Sequence, residues 1–243
     1  MVGSASSSSA MGQASEYLRR AVHYGQMDLE MTFWQMLYLC VAPSVVYRNT
    51  KYHRQTKNQW ARDDPGFTTV LMYFLVSACI AFCLAFQKSW VGFVSSVTYT
   101  VFVDFVLVGI SVATLTWYFA NTFLRVIDQD AHATEQKVEW LYAFDIHCNS
   151  FFPLFMVLYV LQYFLVMIVL RPGFLPTLVS NTLYVTALSA YCYITFLGYE
   201  ALPFIQGATI FLYPIPLLGL MYIISLGLGL NVSRLVLGAY FGS

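Results

Sequence analysis

The sequence predicts an all-α integral membrane protein with five transmembrane helices, a short cytosolic interfacial helix and an amphipathic helix in a cytosolic loop. Of its 243 residues 59% are apolar and only 10% are charged, and the mean hydropathy is +0.65. Soluble domains rarely reach this balance. Five apolar runs have the length that a helix needs to cross a bilayer.

The N-terminal region divides into two parts before the first span. Residues 1–15 are rich in Ser, Gly and Ala, which predicts a disordered tail. Residues 16–67 form a cytosolic juxtamembrane region, in which a helix begins near Asp28 and its apolar run 31–42 stops at Pro43. A run of about twelve residues is too short to span. It therefore lies in the membrane interface or packs against the bundle, and both alternatives stay open.

A basic cluster with interleaved aromatic residues follows this helix. Next to a bilayer, such a composition favours anionic lipid or a partner over single-stranded RNA, so nucleic acid is disfavoured. The predicted lipid- or partner-binding residues are Arg48, Lys51, Arg54, Lys57, Trp60, Arg62 and, further along the chain, Trp140. Asp63 and Asp64 precede Pro65 and predict a helix start, with Asp64 as the N-cap.

The five predicted spans cover residues 68–86, 93–120, 151–170, 177–198 and 208–230, in a membrane domain over 68–230. Seven Lys and Arg residues precede the first span and two lie in the long loop, which gives nine on one side against three on the other. The positive-inside rule then places the N-terminus in the cytosol and residues 231–243 in the lumen as a short tail. Asn231 begins an N-x-S sequon at the edge of the last span, and we expect it to be unmodified there.

The long cytosolic loop contains VEWLYAFDIHCNSFFP, which we interpret as an amphipathic helix that runs into the third span. Asp145 and His147 are two residues apart, so they lie on nearly opposite sides of a helix and make a poor metal pair. We predict a structural polar role for both, with pH sensing by His147 as the alternative.

Asp104 lies inside the second span, where an ionisable side chain is costly and suggests function. No second ionisable residue lies at matching depth in another span, so we favour a structural role over a transport path. Asn181 in the fourth span is interpreted in the same way. No catalytic or nucleotide-binding signature is present, and the sequence predicts neither an enzyme, nor a cofactor, nor a metal site.

Several long motifs occur in order between residues 26 and 230: QMLYL, VYRN, QTKNQWARDDPGF, VEWLYAFDIHCNSFFP, NTLYV and YITFLGYEALPF. Together they closely resemble the Unc-fifty family of small Golgi multi-pass membrane proteins. The resemblance implies a five-span protein of the Golgi membrane that acts in vesicular trafficking. It also implies a link to recruitment of the large exchange factors for Arf GTPases and to delivery of receptors to the cell surface. It carries no established catalytic residue. The family's motif residues present here are Arg62, Asp63, Asp64, Trp140, Asp145 and His147.

Two hypotheses follow. In the first, the chain is a membrane scaffold whose cytosolic face, formed by residues 26–64 and 125–149, docks an Arf exchange factor and supports membrane-protein cargo. In the second, it is a small transporter, a lipid-handling protein or an intramembrane cargo chaperone, with Asp104 and the polar residues of the fourth span lining a cavity. The one-sided charge distribution favours the first.

Overall fold

A computed structural model describes residues 28–49, 60–62, 64–126 and 136–241. Within these ranges the protein is helical, apart from one isolated antiparallel bridge between Arg125 and Ile205. The predicted tail 1–15, the cations Lys51, Arg54 and Lys57, and Asp63 lie outside the described residues.

Four helices in the described part of the chain are long and apolar enough to cross a membrane: α3 (Gly66–Ala85), α4 (Trp90–Leu124), α5 (Trp140–Val169) and α7 (Ala208–Gly227). A further helix, α6 (Phe174–Glu200), has 27 residues but is less apolar and does not join that group. It lies at the centre of the bundle and packs against α5 and α7. Four of the five predicted spans thus coincide with helices that are long and apolar enough to cross a membrane.

The first helix, α1 (Leu29–Val41), packs against α3 and α5 through its buried residues Thr32, Met36 and Leu39. Asp28 caps it, since its carboxylate accepts a hydrogen bond from the Met31 N–H at 2.9 Å. Its opposite side exposes large apolar residues, including Phe33 and Leu37. One side of this helix therefore packs against the bundle, and the other side exposes apolar residues. After a break at Ala42, helix α2 covers residues 43–49.

The third span differs most from its prediction. Helix α5 begins at Trp140 rather than at 151, and nearly all residues from Tyr142 to Phe155 are buried. The stretch expected as an amphipathic loop helix is therefore the buried first half of α5. Polar residues with hydrogen-bond partners inside the protein lower the hydropathy of this stretch, so it did not resemble a membrane span. Pro153 lies within this helix and is followed by a π-helical stretch, Met156–Leu161, which is a usual response to an interrupted hydrogen-bond ladder.

The C-terminal residues also differ from the predicted tail, because Val232–Phe241 form a helix, α8. Phe241 stacks on Phe82 with ring centroids 5.2 Å apart, and Leu237 is buried in the same cluster. Its start is fixed by Asn231, whose amide donates to the Val169 carbonyl at 2.7 Å. The end of the chain is therefore part of the packed bundle.

Candidate functional site

Two carboxylates near the beginning of α5 accept hydrogen bonds from the backbone of segment 60–62. The backbone N–H groups of Trp60 and Ala61 donate to the two oxygens of Glu139, at 3.4 and 3.2 Å. The Arg62 N–H donates to Asp145 Oδ2 at 2.7 Å. Hydrogen bonds to a charged acceptor are stronger than neutral ones. These contacts attach the juxtamembrane region to a helix about 80 residues further along the chain.

The side chain of Arg62 points into the protein from the same segment. Its guanidinium donates to Asn149 Oδ1 and lies over the Phe67 ring, 4.2 Å from the centroid. The Asn149 amide donates in turn to the Tyr47 hydroxyl at 3.2 Å. Burial raises the pKa of Tyr47, so its phenol stays protonated at physiological pH. Arg62 thus joins α2, α3 and α5 in one polar network.

Asp64 holds the starts of α1 and α3 together. Its Oδ1 accepts from the Gly66 N–H at 2.9 Å, and its Oδ2 accepts from the Asp28 N–H at 2.7 Å. A carboxylate at a helix start satisfies N–H groups that have no partner within the helix. One side chain therefore serves the beginning of two helices.

These contacts change the interpretation of the predicted lipid- or partner-binding residues. Trp60 is only 6% exposed and packs against Tyr142 and Phe204, and Arg62 is occupied internally. Trp140 is 37% exposed, and its indole N–H donates to Thr114 Oγ1 at 3.0 Å. Arg48 is exposed. Of the four residues that the structure describes, Arg48 and Trp140 are exposed and Trp60 and Arg62 are turned inward.

His147 lies at the closest approach of α4 and α5. Its Nδ1 is 2.8 Å from the Tyr191 hydroxyl, and a Cβ placed on Gly109 would lie 2.6 Å from its Nε2. The rings of Phe105 and Phe151 flank it at centroid distances of 5.9 Å. Among the residues described, no three His, Cys, Asp or Glu side chains cluster as a metal site would require. The geometry gives His147 a packing role with one hydrogen bond.

Asn181 connects α6 to the end of α7. Its amide donates to Ser225 Oγ and to the Leu230 carbonyl, both at 2.8 Å, and its Oδ1 accepts from the Val232 N–H at 3.0 Å. Asn181 therefore makes its hydrogen bonds within the protein, and this polar residue of α6 stabilises contacts between helices.

Asp104 lies on α4 within a π-helical stretch, Tyr99–Leu107. Its Oδ1 accepts a hydrogen bond from the Tyr240 hydroxyl of α8 at 3.0 Å. Its Oδ2 is enclosed and has no partner within the described ranges. The structure thus gives this carboxyl group one partner, on a helix that the sequence had not predicted.

The sequence missed Glu139 and Tyr47 as members of the polar network around Arg62. A partial signal was present for another member, because Asn149 follows Asp145 by four residues and so shares its helix face. Nothing local to Glu139 or Tyr47 indicates a partner about 80 or 100 residues away.

Comparison with known proteins agrees with the motifs. The sequence model of the UNC-50 family matches residues 17–241. A protein unc-50 homolog of Dictyostelium discoideum is 50% identical over 99% of this chain and 92% of its own length. The human protein unc-50 homolog is 41% identical over 93% of this chain and 86% of its own, and protein unc-50 of Caenorhabditis elegans is 41% identical over 96% and 75%. No solved structure matches. A family match over nearly the whole chain and these identities show that the chain belongs to the UNC-50 family.

Proposed function

We propose that this protein is a Golgi membrane scaffold in vesicle-mediated trafficking. Its cytosolic face recruits or supports Arf exchange factors, and the protein aids delivery of membrane-protein cargo to the cell surface. Family membership supports this assignment through what the resemblance implies. The observation that carries it is the attachment of segment 60–62 to Glu139 and Asp145. These hydrogen bonds hold together two stretches that are distant in sequence.

The same proposal includes five spans, with α6 as the fifth. A helix of 27 residues is about 40 Å long, which exceeds the roughly 30 Å of hydrocarbon. Helix α5 ends at Val169 and α6 begins at Phe174 and packs along it, so α6 returns through the same layer. Its polar residue Asn181 is buried and donates its hydrogen bonds within the protein. Five spans with cations on the N-terminal side orient that side to the cytosol.

The contacts of Arg62 limit which cations can be changed in a test of the docking surface. Because this side chain holds Asn149 and Phe67 together, replacing it would perturb the fold as well as the surface. Arg48 is exposed and provides positive charge that an anionic lipid or an acidic partner segment can meet. A test of docking should therefore change the surface cations and leave Arg62 intact.

The experiment uses cells that lack their own family member. They receive this chain, or a variant with Arg48, Lys51, Arg54 and Lys57 changed to Gln, or a control with Arg171→Gln, an exposed cation assigned to the lumenal side. The readout is the amount of Arf exchange factor on Golgi membranes. Nine cations minus four leaves five against three on the other side, so the variant keeps its orientation.

We expect the wild type and the control to restore recruitment and the variant to fail. Equal Golgi delivery of the three proteins and equal accessibility of an N-terminal epitope are required first. If the variant restores recruitment as well as the wild type, the basic face does not dock the exchange factor. If the exchange factor is unchanged in cells without any family member, the scaffold assignment itself is refuted.

A second candidate is an intramembrane role as a small transporter, lipid-handling protein or cargo chaperone. The observation that favours it is the carboxyl group of Asp104, one oxygen of which has no hydrogen-bond partner among the described residues, next to a pocket that Tyr240 lines.

A further inference from the structure

A pocket opens between the first turns of α4 and the end of α8. Its volume is about 300 Å³, and it is lined by Ser95, Ser96, Tyr99, Ala239 and Tyr240. Trp90 begins α4, so a rise of 1.5 Å per residue puts Ser95 roughly 8 Å and Tyr99 roughly 14 Å into the helix. Helix α4 has 35 residues and is about 52 Å long, which exceeds the hydrocarbon layer of about 30 Å, so the pocket at its start lies near one membrane surface. A lipid there places its polar group in the pocket and its apolar part in the hydrocarbon.

The Tyr240 hydroxyl in the pocket is oriented to accept a hydrogen bond. Tyr240 donates its hydroxyl proton to Asp104 Oδ1 at 3.0 Å. The lone pairs of the Tyr240 oxygen are then left to accept from a ligand, and the bond to Asp104 strengthens that acceptor. Tyr99 packs edge-on against Tyr240, with centroids 5.7 Å apart, and holds the ring in place.

The charge of the lining residues disfavours a phosphate group as the ligand. No Lys or Arg belongs to the lining formed by the residues that the structure describes. A phosphate group would lack a cation in this lining, and Asp104 next to Tyr240 would repel it if ionised. A hydroxyl, amide or amine meets the Tyr240 oxygen without this cost.

We infer that this pocket binds the polar group of a phosphate-free lipid that donates hydrogen bonds. Tyr240 is the acceptor, and Asp104 is a positioning residue that fixes the direction of the Tyr240 hydroxyl. A hydroxyl, an amide N–H and an amine share this donor chemistry. The inference concerns the membrane interior and does not depend on recruitment of an exchange factor.

The test uses the full chain in cell membranes, with photoactivatable diacylglycerol, ceramide and sphingosine probes and a phosphatidylcholine probe as the reference. Three variants are compared. Tyr240→Phe removes the acceptor and keeps the ring. Ser95→Trp fills the mouth from an exposed position. Tyr118→Phe is the matched control, since Tyr118 is a 60% exposed tyrosine on the same helix and away from the pocket lining.

We expect at least one phosphate-free probe to be captured above the reference. Loss of one hydrogen bond should lower this capture roughly two- to tenfold in Tyr240→Phe. Ser95→Trp should reduce it at least as much, and Tyr118→Phe should leave it unchanged. If Tyr240→Phe fails to fold, as judged by size-exclusion profile, Ser95→Trp decides alone.

Equal capture of all probes, or equal capture by the three variants, would overturn the site. Asp104→Asn then separates the ligand sources. An amide still accepts from Tyr240, so capture of a hydroxyl lipid should persist. Capture of an amine should fall, because the carboxylate that would balance its charge is gone.

Discussion

The contact between α5 and α6 at Gly198 allows a quantitative prediction for Gly198→Ala. A Cβ added at this position would lie 2.7 Å from Ile146 Cγ1, 2.9 Å from Cδ1 and 3.0 Å from Cγ2. Cγ1 and Cγ2 are both attached to the Ile146 Cβ, so rotation of the side chain cannot move both away. Ile146 is also buried, and the Tyr142 hydroxyl donates to the Gly198 carbonyl at 2.8 Å. The helices would have to separate.

Overpacking of this kind costs about 1–3 kcal/mol. Ile146→Ala removes all three overlapping atoms but leaves a cavity, at a cost of about 2–5 kcal/mol. In the double variant the new methyl group occupies part of that cavity. We therefore expect it to be no less stable than Ile146→Ala alone, which corresponds to a favourable coupling of about 1–3 kcal/mol.

The measurement is unfolding of the purified protein by SDS titration from mild-detergent micelles. Gly219→Ala on α7 is the matched control, because a Cβ there meets nothing within 4 Å and should cost nothing. The geometric reasoning is refuted if Gly198→Ala is as stable as Gly219→Ala, or if the two costs at Gly198 and Ile146 simply add.

Two further predictions concern hydrogen bonds at helix starts. Asp64→Ala leaves the N–H groups of Asp28 and Gly66 without their acceptor. It should lower the free energy of unfolding by about 1–3 kcal/mol in the same titration. Asp64→Asn keeps one acceptor and should lose less. Asn231 is 5% exposed and its amide is hydrogen-bonded to the Val169 carbonyl, so we expect no glycan on it. Endoglycosidase treatment of the protein from mammalian cells should therefore leave its gel mobility unchanged. A shift that Asn231→Gln abolishes would contradict the buried geometry.

The apolar runs predicted most helix positions to within a few residues. The first span was expected at 68–86 and is Gly66–Ala85, and the second was expected at 93–120 and is Trp90–Leu124. The third was placed eleven residues too late. Asp145, His147 and Asn149 lower the hydropathy of its first half, and their burial depends on partners that no local pattern shows.

The candidate site was harder to predict than the helices. A basic cluster next to a span predicts its side of the membrane, but the exposure of each member could not be inferred from composition. Trp60 and Arg62 have the same residue types as surface anchors, yet both are held inside by residues about 80 positions away. Asp104 was recognised as unusual at membrane depth, whereas its partner Tyr240 lies on a helix that was expected to be a tail.

The sequence by itself determined the membrane class and four helices that are long and apolar enough to span, because a helix in hydrocarbon satisfies its own backbone and needs only apolar residues to stay there. Tertiary structure alone decided which polar side chains face inward. Arg62 and Asp64 are fixed by carboxylates, amides and N–H groups from other helices. The free energy of burying such a group depends on whether a partner meets it, and the partner is known only once the helices have packed.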